Sequence, residues 1–104
     1  MQKPKPDPFS ALGDSHRRAI VASLAMGEKS VQELADSMPI SRPAVSRHLR
    51  LLKEAGLVKD RPEGVRRFYT LDNAGISEAR AFMEQVWGDA TVRFRLAAEN
   101  RKED

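Results

Sequence analysis

Between Ser41 and Leu52 the chain reads Ser-Arg-Pro-Ala-Val-Ser-Arg-His-Leu-Arg-Leu-Leu, and its arginines and serines are the side chains best suited to chemistry. A guanidinium presents a planar fork of donors that fits a guanine edge or a phosphate, and a serine hydroxyl both donates and accepts. On a helix drawn through this stretch, Arg42, Ser46, Arg47 and Arg50 fall on one side. Val45, Leu49 and Leu52 recur at i, i+4, i+7 on the other, the spacing of a buried stripe. Ser41 is a fitting N-cap, and Pro43 sits in the first turn, where its missing N–H costs nothing. One apolar side and one Arg/Ser side suit insertion into a DNA major groove. Arg42 and Arg47, near the helix start, are the candidates for base edges, with Ser41, Pro43 and Ser46 beside them and Arg50 on a phosphate.

The surrounding charge supports that chemistry. Residues 42–67 hold eight Lys/Arg against three acids, a net +5, while the remainder of the chain is net −2. Positive charge gathered in one contiguous quarter of the chain is an electrostatic footprint for phosphates. Leu57–Arg61 and Arg66–Leu71 read as two strands around Pro62-Glu63-Gly64-Val65, with Gly64 supplying the positive φ of a hairpin turn. Tyr69 and Leu71 share the face that docks on the core, and Phe68 takes the other. Arg61, Arg66 and Arg67 cluster at the tip, so the hairpin reads as a basic wing lying along the phosphate backbone or in a minor groove.

Other chemistries find little support. The chain has 104 residues, 40% hydrophobic and 32% charged, which fits one globular domain. It contains no cysteine, hence no disulfide, thiolate metal site or cysteine nucleophile. No Ser/His/Asp spacing, Gly-rich phosphate loop or paired-His motif suggests an enzyme. His16 reads as a first-turn surface residue and His48 as a packed, hydrogen-bonded strut, so neither a metal nor a cofactor is expected. No apolar run approaches the ~20 residues of a membrane span. Met1 is followed by Gln-Lys-Pro-Lys-Pro rather than an apolar leader, and the expected location is the cytoplasm.

The elements that must position the basic helix can be read in order. Residues 1–6 form a Lys/Pro tail, 7–100 the domain and 101–104 a second tail. Asp7-Pro8 opens a short helix through Phe9 and Leu12 that ends at Gly13. Asp14 or Ser15 caps the next, with Ile20, Val21 and Leu24 inward and Gly27 beyond its end. Ser30-Val31-Gln32-Glu33 is a capping box for a third helix that stops before Pro39. A short turn leads from there into the basic helix, making a helix-turn-helix closed by Gly56. Asp72 or Asn73 opens a last helix running to about Asn100. Its stripe, from Ile76 and Ala79 through Phe82, Met83, Val86, Trp87, Ala90 and Phe94 to Ala97, exceeds what one thin domain can bury. The surplus predicts a homodimer, with Phe9 and Leu12 completing the interface. Two recognition helices on a twofold axis would then meet half-sites ~34 Å apart.

This order of elements resembles the ArsR/SmtB family of winged-helix repressors over about residues 9–97. The resemblance is carried by Phe9 through Asp14 with Arg17, Arg18 and Ile20, by Val31 through Ala35 and by Ser41 through Leu52. Glu54-Ala55-Gly56-Leu57-Val58 and the wing from Gly64 to Leu71 complete it. It implies a mainly α fold of five helices and a β-hairpin wing, dimerising through the first and last helices. It further implies a homodimeric repressor that occludes an inverted-repeat operator in double-stranded DNA, often that of its own gene. The chain departs from the metal-sensing members: Val31–Asp36 lacks their cysteines, and the last helix offers Glu84 and Asp89 but no histidine. Two other readings stay open: a winged helix that binds protein, and a repressor gated by a small molecule held between the first and last helices near Trp87, Met83 and Phe94.

Overall fold

The computed structural model describes residues 6–88 and 97–98. Among these residues five α-helices surround a small antiparallel sheet, and each begins at a side chain that satisfies its orphan amides. Asp7 Oδ2 accepts from the Ser10 N–H at 3.2 Å to start α1 (Pro8–Ala11). Asp14 Oδ1 accepts from the N–H groups of His16 and Arg17 to start α2 (Ser15–Ala25). The capping box is complete at α3 (Val31–Asp36): Ser30 Oγ accepts from the Glu33 N–H at 3.1 Å, and Glu33 Oε1 accepts from the Ser30 N–H at 3.0 Å. Ser41 caps α4 (Arg42–Glu54) through the Ala44 N–H. Asp72 does the same for α5 (Asn73–Met83) through the Ala74 N–H.

The core is where the helix-turn-helix meets the sheet. Val45, Leu49 and Leu52 of α4 are fully buried, packed with Ile20 and Leu24 of α2, Leu34 of α3, Leu57 and the sheet residues Val58 and Tyr69. Each large apolar side chain sealed this way contributes about 1.5–3 kcal/mol relative to exposure. The predicted inward stripe of α4 is therefore the face that anchors it, and its Arg/Ser face is turned outward.

The sheet departs from the expected hairpin in two respects. It has three strands in the order β1-β3-β2, because Lys29–Ser30 (β1) pairs with Tyr69 and Phe68 of β3 (Arg66–Leu71). The wing strand β2 begins at Val58 and runs on through Pro62 to Glu63, which pairs with Arg66. The turn is thus Gly64-Val65 alone rather than four residues, with Gly64 at φ 63° in the position where a two-residue turn requires it. Pro62 is tolerated because β2 is an edge strand.

α5 also differs from the expected unbroken helix. After Met83 the chain widens into a π-helical turn, Glu84–Gly88. Such a turn closes i→i+5 rings and shifts the apolar stripe around the axis, and Gly88 at its end is a poor helix former. Ala90 and Phe94 lie outside the described residues. No residue of α5 is buried, and Phe82, Met83, Val86 and Trp87 are all exposed. The Phe9 ring of α1 packs at a tilt of 55° against that of Phe82, centroids 5.2 Å apart, so α1 and α5 lie side by side. Among the described residues no helix is long and apolar enough to cross a membrane.

Candidate nucleic-acid interface

All nine side chains singled out by type and spacing lie on the surface: Ser41, Arg42, Pro43, Ser46, Arg47 and Arg50 on or beside α4, and Arg61, Arg66 and Arg67 on the wing. The fold brings the two groups together. Arg42 lines one cleft with Arg66 and Arg67, against Ser30 and Gln32 at the start of α3. Arg42, Ser46 and Arg50 line a second with Lys53, Asp60 and Arg67. Arg42, Ser46, Arg50, Arg66 and Arg67 therefore share one basic, donor-rich surface, held in place by the apolar side of α4, whereas Arg47 and Arg61 line neither cleft and Arg61 lies against Phe68.

The wing arginines are not equivalent. Arg61 grips Glu28 with two bonds, Nη2 to Oε1 at 2.7 Å and Nε to Oε2 at 2.9 Å, and reaches Glu63 Oε2 at 2.9 Å. Its guanidinium carbon also lies 4.8 Å from the centre of the Phe68 ring. The hydrogen bonds from Arg61 hold the Glu28 carboxyl below its ordinary value, and Glu28 in turn raises Arg61. Arg67 binds Asp60, whose other oxygen accepts from Lys53 Nζ at 2.9 Å. Asp60 is nearly buried beneath these two cations, which hold its carboxyl below the usual range, Lys53 foremost. Arg42, Arg47, Arg50 and Arg66 have no acidic partner among the described residues within 4.0 Å.

Glu28, Lys53 and Asp60 were not singled out by sequence. The alternation of β2 against β3 carries part of the signal: Asp60 lies opposite Tyr69 and Arg61 opposite Phe68, which places Arg67 diagonally from Asp60. Glu28 offers no such cue, being 33 residues from Arg61.

Behind the basic surface the fold joins two histidines read separately in the sequence. His16 on α2 and His48 on α4 have ring centroids 5.8 Å apart. The Asp14 carboxylate lies with them, one potential ligand atom from each falling within 4.8 Å of the others. His48 Nδ1 is 3.4 Å from Arg17 Nη1, and Arg17 Nε donates to the Ala11 carbonyl at 2.6 Å. Burial holds the His48 imidazole below its ordinary pKa, favouring the neutral ring. His48 is thus the expected packed strut, whereas His16 is half-buried against it rather than a plain surface residue.

Similar sequences and a similar architecture occur in known proteins. Residues 14–60, from the cap of α2 into β2, match the model of the bacterial regulatory protein family arsR. The chain is 45% identical over 96 residues to the HTH-type transcriptional regulator Rv2034 of Mycobacterium tuberculosis, covering 92% of this chain and 90% of that one. It is 31% identical over 75 residues to the transcriptional repressor SdpR of Bacillus subtilis, covering 72% and 83%. A solution structure of a homodimeric winged helix-turn-helix DNA-binding domain from Mycobacterium bovis, a possible ArsR-family regulator, superposes with a TM-score of 0.63 at 32% identity, covering 78% of this chain and 74% of that one. With the helix-turn-helix, wing and flanking helices in the same order, this chain belongs to the ArsR family of winged helix-turn-helix transcriptional regulators.

Proposed function

We propose that two copies of this chain form a repressor that covers an inverted-repeat operator, placing an α4 in each of two successive major grooves. The observation that carries the reading is the outward Arg/Ser face of α4, held by three fully buried side chains on its other side. Arg42 and Arg47 approach base edges with Ser41, Pro43 and Ser46 beside them, and Arg50 and Arg66 take phosphates. Arg67 lines the clefts with Arg42 but is held by Asp60, and Arg61, on the Phe68 side of the hairpin, is held by Glu28, so both contribute less unless DNA draws them off. The subunits join along α1 and α5 through Phe9, Leu12, Phe82, Met83, Val86 and Trp87. Support comes from the absence of any buried residue in α5 and from the homodimeric relative. Repression is by steric occlusion, in the cytoplasm, with no enzymatic step. Control of its own gene is part of the proposal.

A second reading adds a small apolar effector. The groove between α1 and α5, about 460 Å³ and lined by Phe9, Leu12, Ile76, Met83 and Trp87, has the size of a ligand pocket. A partner helix laid along it would close the same space.

The test is titration of the chain onto the DNA upstream of its own gene, over a range of salt and against random-sequence competitor. Tight binding at two chains per site that survives competitor is expected. Arg42→Ala should cost about 1–3 kcal/mol and relax preference at one base pair per half-site. Weak binding without preference would overturn the operator reading and favour a winged helix that binds protein.

A further inference from the structure

We propose that Asp14, His16 and His48 form a binding site for a divalent transition cation of the Zn2+ class, bridging α2 and the recognition helix α4. The inference is independent of how α4 meets DNA. Two imidazoles and a carboxylate are the donor set that such ions take, three protein ligands leaving a fourth position for water. The three side chains come from positions as far apart as 14 and 48, yet offer ligand atoms within 4.8 Å of one another. Tetrahedral coordination at ordinary bond lengths sets ligands roughly 3.3 Å apart, so closure by about 1.5 Å of side-chain movement is needed. All three residues are half-buried, neither sealed in the core nor fully solvated.

The local hydrogen bonds leave the ligand positions usable. Asp14 spends Oδ1 on the two amides at the start of α2, which orients the carboxylate, and Oδ2 makes no hydrogen bond among the described residues. Such a bond fixes a ligand from behind, as outer-shell partners do in metal sites. Arg17 is the competing cation. Its Nη1 lies at the long distance of 3.4 Å from His48 Nδ1, while its short bond from Nε to the Ala11 carbonyl holds the rest of the group. An arriving ion displaces only the weaker contact. Its positive neighbour lowers the affinity, and the Asp14 charge opposes that loss. Once bound, the ion braces the recognition helix against α2.

The experiment is calorimetric titration of the untagged 104-residue chain with Zn2+ alone, paralleled by the visible absorption of Co2+. The chain has two histidines and no cysteine, so imidazole ligation reports on these residues and no others. One ion per chain is expected, with affinity lowered about tenfold or more in His16→Gln and in Asp14→Asn. Asparagine keeps the helix cap while removing the charged ligand, so the second variant separates ligation from folding. At equal Zn2+ the rise in melting temperature should be larger for the wild type than for these variants. On the wild type itself, Zn2+ should shift the ring resonances of both histidines together. No saturable binding, binding unchanged in both variants, one ion per two chains, or a shift of only one ring would each overturn the site.

Discussion

Of the arginines carried by α4 and the wing, two are already bound to carboxylates of their own chain. Arg61 is clasped by Glu28 and Glu63, and Arg67 by Asp60. The Arg61 pairs are exposed and worth only about 0–1 kcal/mol, so DNA can compete for that guanidinium at the cost of part of its gain, whereas Arg67 is held by the nearly buried Asp60. Arg50 has no such pair among the described residues and lies on the exposed side of α4. Arg50→Ala is therefore expected to weaken binding to all sequences alike and to flatten the logarithmic salt dependence by about one unit per subunit. Arg61→Ala should flatten it by less than half as much. Fluorescence anisotropy with labelled duplexes over a salt series measures both. Equal losses would mean that Arg61 leaves Glu28 when DNA arrives.

At the scale of elements, caps and apolar stripes were legible because they act within one turn of helix. Asp7, Asp14, Ser30, Ser41 and Asp72 each satisfy amides two or three residues ahead. Elements whose partners lie far along the chain were not. β1 is two residues long and exists through its pairing with Tyr69 and Phe68, which no local pattern announces. Gly75 is a further case, sitting where α5 crosses the turn after α4. A Cβ there would lie 1.7 Å from the carbonyl oxygen of Gly56, a backbone atom that cannot swing aside. Gly75→Ala should push α5 off that turn and destabilise the fold by about 1–3 kcal/mol, measured by urea denaturation. Gly56 itself was legible as the helix stop, and its φ of 80° fits that role.

Among the described residues of the molecule, one core lies under α4 and a second apolar surface is exposed. α5 has no fully buried residue and is held mainly through Ile76, Gly75 and the Phe9–Phe82 contact, so a short helix packed this lightly is marginal in water. Trp87, Met83, Phe82 and Val86 lie exposed along it and its π-helical continuation, beside Phe9 of α1. A second copy covering this face would stabilise α5 and set the distance between the two recognition helices. Trp87→Ala should accordingly shift the dimer toward monomer in sedimentation equilibrium and weaken binding to an inverted repeat more than to a single half-site. A dimer of unchanged strength would place the seam elsewhere.

Local chemistry by itself determined the helix starts, the two-faced character of α4 and the basic reach of the wing. Capping, 3.6-residue periodicity and charge all act over a few neighbouring residues. Tertiary structure decided which arginines are tied to acids, that Lys29–Ser30 joins the sheet, that Gly75 must lack a side chain, and that His16 meets His48 beside Asp14. Each of these is a contact between residues distant in the chain, created only when α2, α4 and the sheet close on their shared core.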